Sequence, residues 1–303
     1  MRFALWPSFD RSWEETLTVA RFAADNGYAS FWYADHLMPD RPDGTPDPGD
    51  ALDCWTVLAG VAALVPGVRL VSMVSPLTIH HPVVLAKRAT TVDHISAGRV
   101  VLGLGAGWQV NEHASYGFDL LDPGPRVSRF AEGIEVIHRL LREDSVTFEG
   151  RAFTLRDAPF SPKPLQQSLP LLVGTKSPRM FRLAARFAAE YNTWGNPDLA
   201  AKRLEGLQRG CAAEGRDPAT IAKSVQAVVL LTRSQGELDA LGEFATQPNV
   251  LAGSPEQLQD SLGRYLELGF DEFALPDFTL GPDPAARADK LAEIHVEVIS
   301  PLM

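Results

Sequence analysis

Two apolar periods alternate along this chain. Short, nearly continuous apolar runs stand at 3–6, 31–33, 69–75, 99–105, 170–174, 190–195, 224–232 and 271–276. They read as strands covered on both faces. Between them, apolar residues recur at helical spacing, as in Phe130, Ile134, Ile137 and Leu141, or in Leu85, Ala86, Ala89 and Val92 after Pro82. The punctuation agrees. Ser12 with Glu15 opens a helix that Asn26-Gly27 closes, a helix over 53–64 stops before Pro66, and Ser177-Pro178 and Ser254-Pro-Glu-Gln257 open others. Helices over 197–214 and 284–299 complete the set. Strands alternating with helices imply parallel pairing through right-handed crossovers. Eight such units predict an α/β fold, a (β/α)₈ TIM barrel spanning 1–303 as one domain, with a doubly wound open sheet as the runner-up. The connection after the fourth strand is long. This insertion, roughly 109–168, holds a helix over 126–141, a small β-hairpin over 146–155 turning at Glu149-Gly150, and a loop through Pro159, Pro162 and Pro164.

In such a barrel the functional face lies at the C-terminal ends of the strands. Trp6-Pro7, Asp35-His36, Ser72 to Pro76, Gly105 to Trp108, Gly174 to Ser177, Trp194-Gly195 and Pro276 to Phe278 stand there. This set is rich in rings and small residues and has no dense carboxylate cluster, which suits a flat aromatic ligand. Its centre is Arg99-Val-Val-Leu-Gly-Leu-Gly-Ala-Gly-Trp108, followed by Gln109-Val-Asn-Glu112. Gly103, Gly105 and Gly107 form GxGxG rather than the dinucleotide GxGxxG, with no helix opening directly on them. Close strand packing and close approach of a ligand both account for them. His36 is either a buried histidine held by Asp35 or an acid/base. Gly174-Thr-Lys-Ser177 is either a phosphate site, using free N–H groups and Lys176, or a plain capped helix start. Trp6, Trp55, Trp108 and Phe278 are candidates for an apolar substrate pocket, with core packing as the alternative. Trp32 faces opposite to Phe31 and Tyr33, so not every tryptophan lines one pocket.

Composition narrows the partners. With 28 Lys+Arg against 38 Asp+Glu the net charge is −10, and there is no basic run, so nucleic acid is not an expected partner. Cys54 and Cys211 lie far apart, and two cysteines in 303 residues suit a reducing compartment. The start meets Asp10 after a brief apolar stretch and reads as neither signal peptide nor membrane span. A cytoplasmic location with a small-molecule substrate follows as the expectation. There is no HExxH, CxxC or GxSxG, and His80-His81 lacks further ligands nearby, so no metal is expected.

Ser72-Met-Val-Ser-Pro-Leu-Thr-Ile-His-His-Pro82, Leu85-Ala-Lys87, Thr91-Val-Asp-His-Ile-Ser-Ala-Gly-Arg99 and Gly103-Leu-Gly-Ala-Gly-Trp108 resemble the bacterial luciferase-like monooxygenase superfamily. Ala34-Asp35-His36, Phe148-Glu-Gly150, Ser161-Pro-Lys-Pro164 and the segment from Asp271 to Leu280 fit it too, so the resemblance covers nearly the whole chain. It is closest to the branch that uses the deazaflavin coenzyme F420. The resemblance implies a (β/α)₈ barrel with an insertion, commonly a homodimer, and a flavin-type cofactor, F420 first and FMN second. It implies a non-proline cis peptide near Ser72–Met73 that bulges behind the flavin ring. It carries Asp35 and His36 to the redox ring, with His36 as the catalytic residue, and Gly105, Ala106, Gly107 and Asn111 to the cofactor lining. Gly174, Thr175, Lys176 and Ser177 fall on the phosphate-binding turn. Sugar-phosphate dehydrogenases of the family have a tryptophan shortly after Asp-His and a glutamate after the glycines. Here Asp40 and Trp108 stand in those places, and Lys176-Ser177 replaces a common glycine pair, which speaks against a sugar phosphate. The implied activity is F420-dependent hydride transfer to or from a small organic molecule. An FMN- and oxygen-using monooxygenase, another barrel enzyme acting on phosphorylated substrates, and a non-catalytic flavin binder are the alternatives.

Overall fold

A computed structural model describes residues 1–303. The eight apolar runs close into a parallel barrel. Its staves, in chain order, are β1 (Arg2–Trp6), β2 (Ser30–Tyr33), β3 (Arg69–Ser72) continued by the two-residue β4 (Ser75–Pro76), and β5 (Val100–Gly105). After an excursion that contains the antiparallel pair β6 (Ser145–Glu149) and β7 (Thr154–Pro159) come β8 (Leu171–Gly174), β9 (Glu190–Trp194) and β10 (Ala222–Gln226). Leu70↔Val100 and Val71↔Val101 join β3 to β5 and close the ring through the final stave, β13 (Glu272–Pro276), which pairs with β1.

The seventh predicted run divides. β10 stays in the barrel to Gln226, whereas β11 (Val228–Leu231) leaves it and pairs with β12 (Val250–Gly253), a short strand that the apolar pattern did not flag. Helices α1 (Trp13–Asp25), α2 (Cys54–Leu64) and α3 (Pro82–Ser96) follow the first three strands. The excursion after β5 holds α4 (Val110–Tyr116) and α5 (Pro123–Leu140), and α6 (Pro178–Phe187) and α7 (Pro197–Glu214) follow β8 and β9. The short α8 (Gln235–Ala240), then α9 (Pro255–Glu267) and α10 (Pro284–Ile294), complete the chain. α4 corrects the sequence reading, which placed no helix close behind the glycines. The last helix ends five residues early, continuing as one wider turn to Ile299.

Alternation along the strands makes two cores. Phe31 and Tyr33 point outward into the layer between barrel and helices, the larger cluster of 64 buried residues. Trp32 points inward with Trp6, Met73 and Leu172 in a cluster of 9, so most apolar burial holds helices to strands and the interior is left to position the mouth. At the N-terminal end Arg69 bridges Glu190 and Glu272. Burial raises the Glu190 carboxyl even with Arg69 beside it. Cys54 and Cys211 are both free and buried. No helix is long and apolar enough to cross a membrane.

Candidate functional site

His36 follows β2 at the mouth, and its partner is Glu112, not Asp35. Its Nδ1 lies 3.2 Å from Glu112 Oε1, and the Leu37 amide donates to Glu112 Oε2 at 2.9 Å. Glu112 is 1% exposed, so its carboxylate is held by these bonds rather than by water. A carboxylate accepts only, so His36 presents Nδ1–H to it and keeps Nε2 free of any partner in the protein. The ring rests between Phe9, 5.5 Å away, and the edge of Trp108, also 5.5 Å away.

Asp35 points the other way, into the wall. Its carboxylate accepts from the Ser75 hydroxyl and meets His80 Nε2 at 2.9 Å, and His80 Nδ1 lies 3.3 Å from Arg88. Burial alone would raise this carboxyl, but the charge and hydrogen bond of His80, with Ser75, outweigh it and hold Asp35 below its ordinary value. Asp35 therefore ties the strand end that carries His36 to the segment after β3.

That segment explains the glycines. β3 keeps its register through Tyr33↔Ser72, and the Ser72 hydroxyl both donates to Gly103 O (3.1 Å) and accepts from Gly103 N (3.0 Å). The chain then bulges inward, and the non-proline cis bond lies between Met73 and Val74, one bond beyond the expected Ser72–Met73. A methyl group on Gly103 would overlap the Ser72 carbonyl oxygen, one on Gly105 would lie 2.6 Å from Val74 Cγ2, and one on Gly107 would strike the Thr78 hydroxyl. Gly107 also needs its positive φ of 92°. So Gly103 and Gly105 make room for the bulge and Gly107 for Thr78, and Ser72 is wholly buried, while Val74 stands over Gly105 and Gly174. Ala106, partly buried, packs against the outer core.

Asn111 is buried, and its amide donates to Pro39 O (2.8 Å) and Thr45 O (3.3 Å). It pins the loop after His36 instead of lining the mouth. Trp55 corrects a second expectation: it belongs to the outer core and donates to Ser75 Oγ at 3.0 Å, behind Asp35. The mouth's aromatic wall uses Trp194 in its place. Trp6 lies 5.4 Å from Trp194 and 5.0 Å from Phe278. Phe278 is 40% exposed and Trp108 58%.

Gly174 ends β8, which stands across the ring from β1. Thr175 Oγ1 accepts from the Ser177 amide at 3.2 Å. Ser177 occupies the cap position of α6, but its hydroxyl makes no capping bond, contrary to the simple capped start. The first-turn N–H groups of α6 thus lack a side-chain acceptor, and exposed Lys176 beside them has no ion-pair partner.

Behind the aromatic wall, Asp277 accepts from Arg11 Nη2 (2.7 Å) and the Ser8 amide (2.9 Å), fastening the strand end before Phe278 to the loop after Trp6. Burial pushes the Asp277 carboxyl up to about 6, against the pull of Arg11. The folded chain then binds this proton at higher pH than the unfolded chain, so the group's contribution to stability is full below about 4 and falls as pH rises to about 6. Asp277→Asn removes that slope. Urea unfolding at pH 4.5 and 7 is expected to show the variant gaining on the native chain by about 2 kcal/mol between the two; parallel pH dependences would contradict it.

Residues 1–242 match the family model for luciferase-like monooxygenases. The chain belongs to that family. Among its relatives is the F420-dependent glucose-6-phosphate dehydrogenase of Beutenbergia cavernae, 34% identical over 314 residues, covering 92% of this chain and 91% of that protein. An F420-dependent secondary alcohol dehydrogenase, solved with an F420–acetone adduct, superposes with a TM-score of 0.83 at 20% identity, covering 98% of both chains. The oxygenating constituent of 3,6-diketocamphane monooxygenase from Pseudomonas putida, solved with FMN, superposes with a TM-score of 0.72 at 18% identity, over 99% and 98% of the chains. These two share this barrel.

Proposed function

We propose that this protein is an oxidoreductase that binds coenzyme F420 and transfers hydride to or from a small organic molecule. The observation that carries the reading is the Glu112-held His36, its Nε2 free of protein partners, at the mouth of a barrel whose relatives are named as F420-dependent dehydrogenases. The residues fit the cofactor. The uncapped first turn of α6 with Thr175, Lys176 and Ser177 would hold its phosphate, and Met73 and Val74 form an apolar floor for its ring. When bound, F420 supplies or accepts the hydride. The chain supplies the proton and the geometry. Neutral His36 accepts a proton at Nε2 from a hydroxyl undergoing oxidation, and Glu112 stabilises the imidazolium that results. In the opposite direction the same nitrogen gives that proton to a carbonyl oxygen. The reading extends to a cytoplasmic homodimer folded as a single domain; light scattering of the purified protein checks the mass.

Titration with F420 and with FMN, followed by fluorescence, tests the cofactor. Saturable quenching with F420 is expected. Tight FMN binding with no response to F420 transfers the site to the monooxygenase chemistry of the FMN-binding relatives.

A further inference from the structure

The mouth has two chemically different halves. The half at β8 offers free N–H groups and the unpaired Lys176, an anion's surroundings. The half across the ring, at β13 and β1 with Trp194 from β9, is a wall of rings. We infer that the substrate is an uncharged, largely apolar molecule, with a flat aromatic or alicyclic body and one carbonyl or hydroxyl group, seated against Trp6, Trp194 and Phe278. The inference deepens the F420 reading and rests on it for placing the reacting carbon between cofactor and His36.

Three observations support it. The wall leaves apolar surface in water: Phe278, packed on Trp6, stays 40% exposed in a chain that buries most of its rings. An exposed ring packed on a cluster of others, not standing singly, marks a surface that a ligand covers.

The wall also offers nothing to an anion. Arg11, the cation behind it, is buried and already bonded to both Glu15 (2.7 Å) and Asp277 (2.7 Å), and Arg287 is bonded to Glu15 as well. Displacing either carboxylate would strand a buried charge. Asp277, adjoining Phe278, would repel a phosphate whenever it is ionised.

The remaining polar capacity is small and neutral. Trp6 is 6% exposed, and its Nε1–H has no acceptor in the protein; the Thr279 hydroxyl beside Phe278 is likewise buried without a partner. Both atoms are closed off from solvent, so neither offers a charge or an accessible donor to a phosphate ester.

Calorimetric titration of the F420-saturated protein separates the possibilities, with 2-acetonaphthone and glucose 6-phosphate as the probes. Saturable binding of the ketone is expected, with no heat from the sugar phosphate. Phe278→Ala, at a half-exposed position that folding tolerates, is expected to weaken the ketone about tenfold, and Trp6→Phe, which shrinks the ring behind Phe278 and Trp194, to weaken it severalfold. Both variants should retain the F420 affinity of the native chain. Binding of the sugar phosphate without the ketone overturns the inference, as does ketone affinity unchanged in both variants. F420 affinity is measured separately by fluorescence, so a protein that ignores F420 rejects the cofactor reading, and one that binds F420 but not the ketone rejects the substrate class alone.

Discussion

His36→Ala is expected to lower turnover by about 10²–10⁴-fold, the range over which a positioned general acid or base acts, and to leave F420 affinity nearly unchanged. The asymmetry follows from the geometry. His36 is anchored on its Nδ1 side by Glu112, whereas the uncapped α6 turn and the Met73–Val74 segment, which the proposed function gives to the phosphate and the ring, belong to other strands. Losing the imidazole removes proton transfer but leaves the cofactor's principal contacts in place. Glu112→Gln is the companion experiment. The amide oxygen still accepts from Nδ1, but its NH₂ group then faces the Leu37 N–H that Glu112 Oε2 accepts from, and the negative charge that steadies the imidazolium is gone. Turnover of Glu112→Gln should fall, and by less than that of His36→Ala. Steady-state kinetics beside F420 titration decide it: full turnover in His36→Ala removes this residue from the mechanism, and equal loss of turnover and cofactor binding would make it a binding residue.

Gly103→Ala is expected to be the most damaging small substitution in the barrel. Its methyl group would meet the Ser72 carbonyl, on a residue whose hydroxyl is bonded to Gly103 N and O and whose backbone is in the β2–β3 ladder. A flexible neighbour would swing aside, but a strand backbone must move as a unit. The cost should reach about 3 kcal/mol or more, at or beyond the upper end of ordinary overpacking. Gly263→Ala is the control. Gly263 lies within α9 with open space where a methyl group would stand, and the substitution should stabilise by about 0.5–1 kcal/mol. Thermal unfolding of the pair should separate them clearly. A Gly103→Ala protein as stable as the native chain would mean that the bulge after β3 yields more easily than its hydrogen bonds indicate.

Much of this arrangement is legible in the sequence. The eight runs, the helix over 53–64 and the hairpin near 146–155 follow from local periodicity and from local punctuation such as Asp53, which caps its helix by accepting from Thr56 N. The inward face of Trp32 follows from alternation alone. The places where reading failed are those where the deciding partner lies far along the chain. Glu112 stood in plain view after the glycines, yet nothing local links position 112 to position 36. Asp35 is next to His36 and so suggests the pairing, but just past the end of β2 the two side chains part, and Asp35 turns into the wall toward Ser75 and His80. Trp55 shares its residue type with the ring wall and differs from it only in facing the outer layer.

What the sequence determined by itself was the order of strands and helices, and hence which residues stand at the strand ends. Those depend on periods of two and 3.6 residues and on caps a few positions away. What only the tertiary structure decided was which strand-end residues meet: Glu112 with His36, Val74 over Gly105, Trp194 with Trp6. Closing the ring sets those meetings, because the stagger of each stave against the next fixes the height at which its last side chain enters the mouth.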